Sequence, residues 1–255
     1  MKRIWIDGST PASDLRYGFG RTLAIVVDHM PPGESSLDFL LPVIGRIKTL
    51  SVFTGRCTDA RALSRATKLQ ELDLSDTRPK YSVDFSGCPL KTLRGRPTAH
   101  YESAFRASHL ATLYLDEPDE STLRLSATTV RTLYLDKVMD PAATPPDLMF
   151  PRLKRIDVRN SPDFDATFLK NSPPPIGADF IRVKEIRGLG AMCDGRELGD
   201  MYFQNCPEIH DLSKLINLRP RQAVTVGRKT PFTREFFEGV PDDLKGRWAL
   251  EWMPN

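Results

Sequence analysis

The feature that most constrains the fold of this chain is a hydrophobic pattern that recurs every 20 to 25 residues. Its clearest copy, at residues 198–206, reads LGDMYFQNC and has apolar residues at its first, fourth, sixth and ninth positions. A short strand turns alternate residues to opposite sides, so the fourth and sixth positions share a buried side and the fifth faces away from it. One such unit cannot cover its own apolar edge, which predicts that neighbouring repeats stack on one another.

The pattern covers most of the 255 residues. Two copies, LATLYLDEP and VRTLYLDKV, are nearly identical. Two weaker copies come first, one at Ile4 and Ile6 and one within LAIVVD, where either Leu23 and Ile25 or Ile25 and Val27 fit the buried positions. The strong copies start at Ile47, Leu69, Leu90, Leu110, Val130, Leu153, Ala178, Leu198 and Arg221.

In these spacings the chain resembles the leucine-rich-repeat family over residues 4–228. The resemblance implies an α/β solenoid, a horseshoe with a parallel sheet on its concave side. Each repeat is too short to hold a helix of three turns, which takes about 11 residues, so we expect turns, 3₁₀ segments and short helices on the convex side. We predict a solenoid over residues 1–229 with an irregular N-terminal start, and a C-terminal cap over residues 230–255, where the repeat pattern ends.

The ninth position of the repeat departs from the family, in which Asn or Cys usually bonds neighbouring backbones. Only the Thr, Ser and Cys members here could form such bonds, and Pro118 has no backbone N–H to donate. An irregular stack is therefore predicted. The ninth-position residues are Gly55, Thr77, Thr98, Pro118, Val138, Ser161, Ile186, Cys206 and Lys229.

Composition excludes several classes of function. The net charge of +3 is nearly balanced, so it gives no global case for binding nucleic acid or an anionic membrane. No apolar run approaches the ~18 residues that span a bilayer, and the start, MKRIWIDGST, lacks the continuous apolar core of a signal peptide. The four cysteines are scattered without a CxxC pair, so we predict no zinc site, no disulfide framework and a reducing, cytoplasmic location.

Catalytic motifs are missing from the sequence. None of the four histidines lies in HExxH, and no Ser or Cys lies in a nucleophile motif such as GxSxG. The glycines of GLGAMCDG, at residues 188–195, do not follow the GxGxxG order of a nucleotide-binding loop. We therefore predict a protein that is not an enzyme and that needs no cofactor or metal.

The informative residues are those that the repeat turns outward from the sheet, at its fifth and seventh positions. Adjacent strands lie about 4.8 Å apart, which predicts Tyr114 beside Tyr134 and Asp116 beside Asp136. Two neighbouring carboxylates repel unless a cation joins them. That cation is either a basic group of a partner or the chain's own Lys137 or Arg131, and the sequence leaves both alternatives open. The predicted partner-binding residues are Tyr114, Asp116, Glu117, Tyr134, Asp136, Arg94, Arg96, Arg159, Arg182 and Tyr202.

These residues suit the recognition of a protein, because Tyr and Arg supply contact area and charges select the partner. We predict a non-catalytic protein-binding module, monomeric on its own, that recognises an unidentified protein on its concave face. Neutralising a toxin or an enzyme, as an immunity-type inhibitor does, is one role open to it, and a scaffold or secreted effector would use the same surface. A nucleic-acid binder would need its arginines to act together, and Asp116 and Asp136 between them argue against this.

Aromatic residues crowd the C-terminal stretch, and their role has two interpretations. They cover the open edge of the last repeat, or they contribute to a binding surface. The residues concerned are Phe236, Phe237, Trp248 and Trp252.

Overall fold

The computed structural model describes residues 1–9, 22–193, 199–215 and 224–250. The chain is an α/β fold in which parallel strands predominate and helices are few and short. It divides into two compact units, Met1–Tyr114 and Leu115–Asn255. Within the described ranges, no helix has the length and apolar character needed to cross a membrane.

The first unit stacks parallel strands in chain order, each supplied by one repeat. Its sheet contains β1 (Lys2–Asp7), β2 (Leu23–His29), β3 (Ile47–Val52), β4 (Glu71–Asp73) and β5 (Thr92–Gly95), and β6 (Thr112–Asp116) begins in this unit. The returning segments are 3₁₀ turns at Leu37–Leu40, Ile44–Arg46, Arg61–Arg65 and Ala99–Tyr101, and one short helix, α1 (Glu102–Phe105).

The second unit repeats the same arrangement and adds a smaller sheet. Its main sheet has the order β7 (Thr132–Asp136), β8 (Arg155–Arg159), β10 (Gly177–Ile181), β12 (Asp200–Gln204), β14 (Val224–Val226) and β15 (Trp248–Leu250). The smaller sheet pairs β9 (Asp163–Asp165), β11 (Glu185–Arg187) and β13 (Glu208–Ile209), also in parallel. The helices are α2 (Glu120–Ser126), α3 (Leu189–Cys193), α4 (Leu212–Leu215), α5 (Arg234–Gly239) and α6 (Asp242–Lys245), and 3₁₀ turns lie at Pro141–Ala143 and Ala166–Leu169.

The fourth- and sixth-position residues lie in the core, as the repeat predicts. In the nearly identical strands, Leu113, Leu115, Leu133 and Leu135 are all buried. In the second unit the core contains a row of phenylalanine rings. The centroids of neighbouring rings in this row lie 5.3 to 5.9 Å apart. Such contacts add to the burial of the rings themselves. The rings in order are Phe150, Phe168, Phe164, Phe180, Phe203 and Phe232.

The repeat that starts at Ala178 predicts a strand at its fourth to sixth positions, residues 181–183. This prediction is wrong, because the strand lies three residues earlier in the chain. The strand is β10, in which Ala178 pairs with Met201 and Phe180 with Phe203. The outward residue of this repeat is therefore Asp179 and not Arg182. The error arose because residues 181–183 alternate as well as residues 178–180 do, and alternation alone cannot separate the two registers.

A left-handed corner follows the strands of the second unit and fixes this register. The residue directly after each of five strands has φ between 50° and 56°. Each donates its backbone N–H to a carbonyl at or just beyond the strand end of the next repeat, over 2.8 to 3.0 Å. Arg182 is one of them, so it belongs to the turn and not to the strand. The corner residues are Glu117, Lys137, Asn160, Arg182 and Asn205.

Side chains at the ninth position link neighbouring repeats. Ser161 Oγ donates to the Arg159 carbonyl at 2.9 Å and accepts the Val138 N–H at 3.0 Å. Cys206 occupies the equivalent place, because its Sγ lies 3.4 Å from the Gln204 carbonyl and accepts from the Val183 N–H. Both side chains therefore satisfy a buried backbone donor of the preceding repeat.

We expect Cys206→Ser to change the free energy of unfolding by less than about 1 kcal/mol, because a hydroxyl there can reproduce both bonds that Ser161 makes. Cys206→Val should cost about 1–3 kcal/mol, since it leaves the Val183 N–H buried without an acceptor. Denaturant titration of both variants checks this. Equal losses would show that Cys206 acts only by filling space.

The C-terminal stretch does not leave the repeat pattern entirely. β15 adds a parallel strand beside β14, with Trp248 opposite Val224. The rings of Phe236, Phe237 and Trp248 pack around buried Phe232, with centroids 5.1 to 6.3 Å from it. These contacts favour the interpretation of this stretch as a cover for the core. Trp252 lies outside the described residues.

Candidate functional site

In the first unit, the predicted residues Arg94 and Tyr114 contact each other. The Arg94 guanidinium lies 4.7 Å from the centre of the Tyr114 ring and 3.8 Å from an Asp73 carboxylate oxygen. They border a shallow depression of about 200 Å³ that is also lined by Thr49 and Glu71. Pockets for drug-sized ligands usually measure ~300–1,000 Å³. This depression is therefore small for such a ligand, and the contacts describe a surface of mixed charge.

In the second unit, four fifth-position residues stand side by side across four strands. Asp157 on β8 is the register partner of Tyr134 on β7 and of Asp179 on β10, and Asp179 is the partner of Tyr202 on β12. We call these four residues the outward row. Two tyrosines thus enclose two aspartates, an arrangement that follows from the shifted register of β10.

Asp157 corrects the prediction that the middle residue of each strand is exposed, because only 1% of it is accessible. Arg159, two residues along the same strand and therefore on the same face, covers it. Its Nε and Nη2 donate to the two carboxylate oxygens at 2.7 and 2.6 Å. This hydrogen-bonded pair raises the pKa of the Arg159 guanidinium.

Arg155 makes a second pair with the neighbouring strand. Its Nη2 donates to Asp179 Oδ2, which raises the pKa of Arg155. To reach Asp179 the side chain crosses Gly177, its register partner, and a Cβ at that position would lie 3.2 Å from Arg155 Nη1. The missing side chain of Gly177 therefore leaves the space in which Arg155 lies.

The predicted acidic pair is bridged by a cation of the chain itself. Lys137 Nζ lies 2.9 Å from Asp116 Oδ1 and 4.0 Å from Asp136 Oδ2. The side-chain amide of Asn160 donates to Asp136 at 2.6 Å. Lys137 is thus placed to act as the internal cation, and Glu117 beside it is exposed on the left-handed corner.

The remaining predicted residues lie either away from the outward row or in and beside it. Arg182 is exposed on its corner, with Nη1 3.5 Å from the Asn160 side-chain oxygen, and Arg96 is exposed in the first unit. Arg159 and Tyr202 lie in or beside the outward row. The sequence prediction missed Arg155 and Asp179. The alternation of Arg155, Asp157 and Arg159 on one strand was a signal that could have revealed the first of them.

Catalytic or metal-binding arrangements are not evident in the described residues. Ser82 Oγ lies 3.5 Å from His100 Nδ1, which is long for a nucleophile and its base, and both are partly exposed. Within the described ranges, no group of three or more His, Cys, Asp or Glu residues is arranged to hold a metal ion.

Comparison with known proteins returned no match to a family model and no match to a curated protein. The geometry of the outward row and its arginines is therefore the basis on which a function can be inferred.

Proposed function

We propose that this chain is a leucine-rich-repeat solenoid that acts as a non-catalytic protein-binding module. The solenoid proposal is supported by one parallel strand for each repeat and by the recurring left-handed corner of the second unit. A cytoplasmic location fits three buried, unpaired cysteines, of which Cys57 and Cys88 have their pKa raised by burial to about 11.

The observation that carries the binding proposal is the outward row. Its tyrosines are half-buried, so they are held by the sheet yet keep one side accessible. Tyr and Arg are the residue types that most often dominate binding energy at protein interfaces. The face is mixed in charge, which suits a protein partner.

A nucleic-acid partner is disfavoured by the pairing of the arginines. Arg155 and Arg159 each bind a carboxylate of the chain, so the row together with these arginines carries no net charge. Affinity for nucleic acid comes largely from uncompensated positive charge that displaces counterions.

The biological role proposed for the module is the neutralisation of a toxin or enzyme, as immunity-type inhibitors do. A scaffold or a secreted effector would use the same surface. The number of partners separates these roles, because a dedicated inhibitor holds one protein at a fixed ratio and a scaffold holds several.

We expect Tyr134→Ala and Tyr202→Ala each to weaken capture of a protein partner by ~2 kcal/mol or more, about 30-fold, while both variants still fold, because the inward leucines are unchanged. The measurement is affinity capture from extracts of the source cells, followed by binding kinetics with the purified partner. Tyr81→Ala is the control, because Tyr81 is an exposed tyrosine of the first unit, outside the outward row, and its ring contacts Arg61. Normal binding by both test variants would reject the outward row as the binding surface.

A further inference from the structure

The two ion pairs of the outward row differ in how much each partner is exposed. The Asp157 side chain is 2% exposed and that of Asp179 is 14%, whereas the Arg159 and Arg155 side chains are 49% and 44% exposed. The carboxylates thus lie beneath, and the guanidinium groups form the accessible layer. An approaching molecule therefore meets guanidinium donors more readily than it meets the two carboxylates.

Each guanidinium keeps donors for an outside acceptor. An arginine carries five N–H donors in a planar fork. Within the described contacts, Arg159 uses Nε and Nη2 on Asp157, and Arg155 uses Nη2 on Asp179. Neither Nη1 group makes a hydrogen bond among the described contacts, and the carboxylates fix the planes in which the guanidinium groups lie.

The ion pairs favour binding because they already restrict the arginine side chains, which therefore lose little further conformational freedom when a ligand binds. A free arginine side chain samples many rotamers, and part of that freedom is already lost in the free protein. Gly177 lets Arg155 lie close to the sheet, because a side chain at that position would begin only 3.2 Å from Arg155 Nη1. The tyrosines at both ends then limit the approach to the space between them.

We propose that the outward row, with Arg155 and Arg159, is a receptor for an extended acidic segment of a partner protein, whose Asp or Glu carboxylate binds the exposed guanidinium edges. This inference rests on the proposed function and adds to it the chemical class of the segment that the partner presents. From Tyr134 to Tyr202 the row crosses three strand spacings, about 14 Å, the length of about four extended residues. Apolar groups beside the acid contact the tyrosine rings.

This partner chemistry differs from the one that the sequence predicts. The sequence leaves Asp116 and Asp136 open to basic groups of a partner, but Lys137 and Asn160 already occupy them. A carboxylate on the partner fits the donors that the surface still presents, and carboxylate–arginine contacts are among the strongest hydrogen bonds in proteins.

The test uses a random 12-residue peptide library displayed on phage and selected on the immobilised full-length protein. We expect the selected peptides to be enriched in Asp or Glu next to apolar residues. A synthetic copy of the most enriched peptide should bind Arg159→Lys about tenfold more weakly, because Lys keeps the charge beside Asp157 but loses the planar fork. The double variant Arg159→Gln with Asp157→Asn removes the pair without leaving a buried charge and should weaken binding at least as much.

Arg124→Lys is the matched control, since Arg124 is likewise held by ion pairs, to Glu120 and Asp147, but lies on α2. It should leave the affinity unchanged. The inference is overturned if no peptide is enriched, if the enriched peptides lack acidic residues, or if the Arg159 variants bind them as the wild type does. A native partner that binds through Tyr134 and Tyr202 while the peptide selection fails would contradict the acidic segment and leave the proposed function standing.

Discussion

Replacing Phe180 by Ala is expected to lower the free energy of unfolding by about 3–5 kcal/mol, the usual cost of removing a large buried ring. Phe180 is fully buried and stacks on Phe203 with centroids 5.3 Å apart and planes 14° from parallel. Its ring also meets that of Phe164, with centroids 5.8 Å apart. Chemical denaturation of the purified variant measures the loss.

Phe53→Ala is the control for this change, because Phe53 is 40% exposed on the outward side of the first unit. It should alter the free energy of unfolding by no more than about 0.5 kcal/mol, as most exposed substitutions do. Similar losses for the two variants would place Phe180 outside the core and restore the register in which Arg182 faces outward from the strand.

The second large effect is expected at Gly199, just before β12. A Cβ at this residue would lie 1.5 Å from the Ile176 carbonyl oxygen. Backbone atoms cannot move aside as the end of a flexible side chain can, so Gly199→Ala must separate the two repeats locally. We expect a loss of about 3 kcal/mol or more, at the upper end of what overpacking costs.

Gly87→Ala provides the comparison, since a Cβ there would meet no atom within 4 Å. It should leave stability unchanged or raise it by up to about 1 kcal/mol by restricting the unfolded chain. Thermal melting of both variants tests the pair. A Gly199→Ala protein as stable as the wild type would contradict the close approach of the two backbones.

The sequence predicted the α/β fold and the parallel strands because each repeat carries its own evidence. Leu133 and Leu135 identify a strand without any information from elsewhere in the chain. The predicted register of β10 was wrong because the feature that fixes the end of this strand is the left-handed turn at Arg182. Asn160 and Asn205 indicate such a turn from the sequence, since Asn is enriched at positive φ. An arginine gives no such indication, although Arg182 adopts the same conformation.

The candidate site was predicted only in part, for a related reason. Position within the repeat was enough to place Tyr134 and Tyr202 on the outward side. It was not enough to show that Asp157 is buried, because that depends on how Arg159 folds back over the sheet. The contact between Arg155 and Asp179 required the correct register of two strands and the open space above Gly177.

The most direct test of the central claim, that a protein binds the outward row of the second unit, is site-specific photocrosslinking. A benzophenone amino acid replaces Tyr202 in one variant and Tyr81 in another, and each is irradiated in extracts of the source cells. We expect a single protein adduct at position 202 that Tyr134→Ala diminishes, and none at position 81. An adduct that forms equally at both positions, or only at position 81, would contradict the claim.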